Sequence, residues 1–172
     1  SIQRNFTWNM DQICRLFDSI MRHYPINSLM LWRVESAEVR EGFRFYEFLT
    51  QYVERFAENN PTFDTKGHGQ FHAVMDGQQR LTSLYIGLKG TYAVKKHRVW
   101  WPKAYDPGVL PPRKLYLNLA QPLDPESNDG QMVHDFEFLT KEALAKKPSD
   151  EDNLWFEVGE ILNFPKVETD DE

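Results

Sequence analysis

The sequence predicts an α+β domain, and three observations carry that prediction. Amphipathic helical stripes are interleaved with short strand-like runs along the chain. A hydrophobic content of 41%, with 14% aromatic residues over 172 positions, suffices for one folded unit with a real core. Six of the ten prolines fall between Pro102 and Pro125, so that stretch is not mostly helix.

Taken in order, Met10, Ile13, Leu16, Phe17, Ile20, Met21 and Tyr24 recur at helical spacing, with Asn9 placed to cap, Gln12 three positions on, and Pro25 closing the helix. SLMLWRVE at 28–35 is apolar on both alternating faces and reads as a buried strand. Phe45, Leu49, Tyr52 and Phe56 repeat the helical spacing, which predicts a second helix ending before Pro61. TKGHGQ at 65–70 reads as a loop, residues 71–75 as a short strand, and Leu81, Leu84, Tyr85, Leu88 and Tyr92 as a third helix. Gly87 and Gly90 weaken the far end of that helix by roughly 1 kcal/mol each relative to alanine. Beyond it come strands at 114–119, 133–139 and 154–158, a short helix at 141–147, and a solvated acidic tail, ETDDE.

The net charge of −6 argues against nonspecific coating of nucleic acid, so any nucleic-acid site must be focal. A single cysteine, Cys14, excludes an internal disulfide and a multi-cysteine zinc site, and its place on the apolar helical face predicts a buried thiol. No unbroken apolar run is long enough for a membrane span and no signal peptide opens the chain, so a cytoplasmic location is expected.

The stretch HAVMDGQQRLTSLYIGL at 72–88 carries the chemistry. A strand ending at Asp76-Gly77 and passing into a helix exposes backbone N–H groups at the positive end of the helix dipole. Glycine admits a phosphate close to the backbone and an arginine in the first turn can fork two of its oxygens, so Gly77-x-x-Arg80 has the parts of a phosphate cradle. Thr82 and Ser83 could add hydroxyls, and Gln78 and Gln79 could position a nucleophile without acting as bases. Asp76 would repel phosphate unless it holds Mg²⁺ or orients a water. A polar turn with a capped helix explains the same composition equally well.

The start of the chain, SIQRNFTWN, adds a second Gln-Arg pair, Gln3 and Arg4, before Phe6 and Trp8. The order QRxFxW, helix, PINSL at 25–29 entering a strand, then a strand ending in DGQQRLTSL closely resembles the N-terminal domain of GmrSD-type restriction endonucleases over residues 1 to about 90. The family pattern usually begins with Ile-Pro just before the position of Ser1, so the chain is expected to be an excised piece of a longer protein.

The resemblance implies a fold similar to the ParB and sulfiredoxin nucleotide-binding domains: one domain over 1–172, with a small mixed sheet flanked by helices and a helical insertion at 36–70. It implies a phage-defence, modification-dependent restriction system in which a nucleoside triphosphate of unknown base, with Mg²⁺, is bound and hydrolysed. Carried over by motif, Asp76, Gln79 and Arg80 are the expected catalytic residues, with Asp76 on the metal. Gln3, Arg4, Gly77, Gln78, Thr82 and Ser83 are the expected nucleotide-binding residues. Expected partners are an HNH-type nuclease domain or subunit, modified double-stranded DNA, and a second copy of the chain as a homodimer.

Lys95, Lys96, His97 and Arg98 followed by Trp100 and Trp101 mix cations with stacking surfaces; Lys95, Lys96, Arg98 and Trp100 are candidate DNA contacts. His68 and His72 share four-residue spacing but lie off a helix with no cysteine nearby, which predicts non-ligands. Trp8 and Trp32 are expected in the core. Two other classes compete with a triphosphatase: a modified-DNA sensor without catalysis, and a ParB- or sulfiredoxin-like phosphotransferase. Gln78 stands where a sulfiredoxin-type motif would have cysteine, which removes the redox chemistry.

Overall fold

A computed structural model describes residues 5–123, 132–148 and 150–165. Asn9 opens helix α1 (Met10–Met21) with a capping box: its Oδ1 accepts from Gln12 N–H, and Gln12 Oε1 accepts from Asn9 N–H. The Ile13, Cys14, Leu16 and Phe17 stripe is buried, as its spacing predicts. Burial pushes the Cys14 thiol up to about 12, so it stays protonated and behaves as a small core group.

Strand β1 (Met30–Val34) forms where SLMLWRVE predicts it, but it is not buried. It pairs antiparallel with only one partner, the 71–76 segment, in a two-stranded sheet, and such a sheet leaves Met30 and Leu31 exposed while Val34 is covered.

The expected helical insertion at 36–70 holds one short helix, α2 (Ala37–Gly42), capped by Ser36. The helix predicted over Phe45–Phe56 does not form. In its place stand β2 (Phe45–Tyr46) and β3 (Gln51–Val53), followed by β4 (Thr62–Phe63). Three of the four apolar residues have separate distant partners, which override the local period: Phe45 lies in β2, which pairs with β4, and meets Phe71 edge-on at 5.0 Å, and Leu49 and Tyr52 join the main core, while Phe56 stays exposed. Strand β5 (Phe71–Asp76) then runs into α3 (Gln78–Lys89), which stops at Gly90, short of the predicted Tyr92.

The principal sheet is built from β3, β6 (Thr91–Ala93), β7 (Pro112–Pro122), β8 (His134–Leu139) and β9 (Trp155–Glu157). Strands β3 and β6 pair in parallel, and the other pairings are antiparallel. Strand β7 exceeds the predicted 114–119, and its prolines sit at its ends, where a missing N–H costs little. Tyr116 pairs with both Glu137 and Glu157, so β7 is central. Helix α4 (Lys141–Ala145) and a closing 3-10 helix at Val158–Asn163 complete the described chain, and the acidic tail lies outside the described residues.

Phe17, Ile86, Leu115, Phe136 and Phe138 share the core where α1 and α3 cover this sheet. The helices meet at Gly87, where a Cβ would stand 2.5 Å from Phe17 Cε2, so the close approach requires glycine. The Asp18 carboxylate is buried with them. Asp18 Oδ1 accepts from the N–H groups of Val133 and His134 and lies 2.9 Å from His134 Nδ1, and Oδ2 accepts from Arg22, tying α1 to the start of β8.

Candidate functional site

The fold places the Asp76–Arg80 turn at the junction of β5 and α3, with Asp76 exposed, Gly77 buried, and Gln78, Gln79 and Arg80 half-buried. Gly77 is the N-cap of α3 with φ of 87°, a left-handed backbone that glycine adopts without strain, and a Cβ there would overlap Leu29 Cδ2. No side chain caps α3, so its first-turn N–H groups have no intrahelical acceptor and stand at the positive end of its dipole. Beside them the Asp76 side chain is 70% exposed.

Arg80 is already engaged. Its Nη1 donates to Ile26 O at 2.5 Å and its Nη2 to Ser28 O at 2.8 Å, with Asp76 Oδ2 3.8 Å away. At 14% exposure the side chain braces the PINSL turn against α3, where its sequence position predicts an open fork for phosphate. The guanidinium also sits beside Gly77, since a Cβ on that residue would lie 3.2 Å from Nη2.

The two glutamines also hold the backbone. Gln79 Oε1 accepts from Thr7 N–H while its Nε2 donates to Asn5 O, so this one amide clasps the N-terminal segment as a neighbouring strand would. Gln3 and Arg4 lie outside the described residues, immediately before Asn5 in the chain. Gln78 Nε2 donates to Val74 O. Thr82 and Ser83 are 2% and 0% exposed, and Ser83 Oγ donates to Gln79 O. Burial withdraws both side chains from a ligand at the turn.

A second feature escaped the sequence altogether. Between the β1–β5 and β2–β4 pairs lies a cavity of about 440 Å³, walled by Trp32, Phe43, Phe45, Phe63 and Phe71 and reached by Gln78. Trp32, expected in the core, lines this cavity, whereas Trp8 does pack on the core. The density of aromatic residues at 43–48, 63 and 71 was the available signal, but helical spacing at 45–56 disguised it.

Comparison with protein families matches residues 1–171 to the GmrSD restriction endonuclease, N-terminal domain. The chain belongs to this family. Comparison with curated proteins finds no match. As a GmrSD N-terminal domain the chain is part of a restriction endonuclease system, a setting in which a nuclease and DNA are the partners that the family suggests.

The basic segment of this GmrSD domain divides in two. Lys95 Nζ donates to the carbonyls of Lys96 and Val99 and lies 5.5 Å from the Trp101 ring, which also carries Arg55 at 4.3 Å. Lys95 therefore closes its own loop. Lys96 and Arg98 are exposed, Arg98 with φ of 60°, and Trp100 projects with 93% of its surface free. His68 packs on the Phe63 ring and His72 lines the aromatic cavity. Among the described residues no group of three or more His, Cys, Asp and Glu could hold a metal, and no helix is long and apolar enough to cross a membrane.

Proposed function

We propose that this GmrSD domain binds a nucleoside triphosphate at the Asp76–Arg80 turn, hydrolyses it with Mg²⁺, and thereby couples DNA recognition to an HNH-type nuclease domain or subunit. The observation that carries the proposal is the uncapped first turn of α3, opened by a left-handed Gly77 beside an exposed carboxylate. A strand passing through this glycine into a helix, next to a small mixed sheet, also supports a ParB/sulfiredoxin-like nucleotide-binding fold.

In this reading the N–H groups of Gln78 and Gln79 receive phosphate oxygens, and Arg80 positions the turn while adding positive charge at its edge. Gln79 holds Asn5 next to α3, and Gln3 and Arg4 are the proposed second clamp. Asp76 fits Mg²⁺, which takes one or two carboxylates and fills its remaining positions with substrate phosphates and water. Asp76 would hold the ion, whose chemistry there would be neutralisation of phosphate charge. The same carboxylate orients the attacking water.

Phosphate release from a panel of triphosphates with Mg²⁺ tests the assignment. Asp76→Asn is expected to lower the rate about a hundredfold or more with the nucleotide still bound. Hydrolysis unchanged in that variant contradicts the role of Asp76.

The DNA side of the proposal rests on Trp100. A fully presented indole beside Lys96 and Arg98 combines a stacking face with phosphate-binding charge, as nucleic-acid surfaces do. Trp100→Ala is expected to weaken binding of modified duplex DNA about tenfold in an anisotropy titration without changing triphosphate hydrolysis. Unaltered DNA affinity removes this loop from the interface.

A further inference from the structure

We propose that the aromatic cavity beside Gln78 is a nucleobase pocket, taking the planar heterocycle of the nucleotide whose phosphates lie at the Asp76–Arg80 turn; the phosphate half rests on the function proposed above. Its volume of about 440 Å³ falls within the roughly 300–1,000 Å³ of small-molecule sites. The rings that wall it form a linked set, with Phe45–Phe71 at 5.0 Å, Phe63–Phe71 at 5.3 Å and Trp32–Phe43 at 6.0 Å. None of them belongs to either buried core cluster, so their surfaces are not consumed by the core.

Arg44, Tyr46, His72, Asn60 and Gln78 are the polar residues that line the pocket, and for the two amides the backbone fixes which way each one faces. Leu49 N–H can only donate, so the Asn60 atom it meets is Oδ1, and Nδ2 is left as a donor with no partner among the described residues. Val74 O can only accept, so the Gln78 atom it meets is Nε2, and Oε1 is left as an acceptor in the same position. Both residues line the cavity. Aromatic walls with an amide donor and an amide acceptor fixed beside them suit a flat ring whose edge carries both, which describes a nucleobase. An aliphatic occupant would leave both amides unpaired.

Gln78 connects this pocket with the turn. As the first residue of α3 it presents its backbone N–H at the phosphate side while its side chain lines the cavity, so base and phosphate sites share one residue.

The test compares calorimetric affinities of the protein for triphosphates, the matching nucleosides and inorganic triphosphate. Ala73→Leu fills the cavity from β5, and Trp32→Leu removes an aromatic wall if the first variant does not fold. In wild type the preferred nucleotide is expected to bind about tenfold or more tighter than inorganic triphosphate. Either variant should erase that advantage and leave inorganic triphosphate binding as it was. Equal affinity for nucleotide and inorganic triphosphate in wild type overturns the pocket but keeps the phosphate site. Nucleoside binding lost in Ala73→Leu, with no inorganic triphosphate bound by wild type, keeps the pocket and removes the phosphate site. Displacement of the nucleoside by modified duplex DNA puts a DNA base in the cavity and overturns the assignment to a free nucleotide.

Discussion

Replacing Asp18 with alanine is expected to lower the unfolding free energy by about 3–5 kcal/mol, or roughly 10 °C in melting temperature. The carboxylate is 1% exposed and accepts from two backbone N–H groups, Val133 and His134, as well as from Arg22. Truncation strands those two donors at the junction of α1 and β8. Asp18→Asn keeps the shape but turns an amide towards a cluster built to donate, so it should recover only part of the loss.

The same site makes stability depend on pH. Burial pushes the Asp18 carboxyl up, but the hydrogen bonds from the backbone and ring of His134, from Val133 N–H and from Arg22 outweigh it and hold the group below the usual carboxylate range. A carboxyl depressed on folding contributes stability above its unfolded value, near pH 4, and loses it as the pH falls through the folded value. The gap in denaturation free energy between wild type and Asp18→Asn should therefore shrink as the pH falls below about 4. A gap that widens on acidification contradicts this arrangement.

Arg80→Ala should act on both stability and function. Loss of its two donations frees the Ile26 and Ser28 carbonyls, which lie near enough to solvent to be rehydrated, so the stability cost is expected at about 1–3 kcal/mol. The larger effect falls on hydrolysis. With the PINSL turn released from α3 and the guanidinium gone from beside Gly77, the rate should fall about a hundredfold or more. Arg80→Lys supplies one compact charge in place of a fork, so it should restore stability better than rate. A variant that loses stability alone makes Arg80 a brace and nothing more.

How legible this molecule was in its sequence follows from how local each feature is. The capping box of α1 is written in two residues three apart, and the β5–Gly77–α3 junction in consecutive ones; both formed as read. The 45–56 segment failed because its aromatic spacing matched a helix while its partners lie far along the chain, at Thr62–Phe63, Phe71 and Thr91–Ala93. Burial of β1 was misjudged for a related reason, since the number of strands beside a strand is not a local property. At the site, sequence identified the turn but not the commitments of its side chains. A guanidinium serves a carbonyl or a phosphate with the same donors, and only its placement against Ile26 and Ser28 separates the two.

The most direct measurement of the central claim is thermal melting of the protein with each nucleoside triphosphate and Mg²⁺, because a ligand that binds only the native state raises the melting temperature. At a hundredfold excess over its dissociation constant, the preferred triphosphate should stabilise the wild-type fold by about 2.7 kcal/mol, and Arg80→Ala should show a much smaller shift. Melting curves that no triphosphate moves, or that move equally in wild type and Arg80→Ala, contradict a triphosphate site at the start of α3.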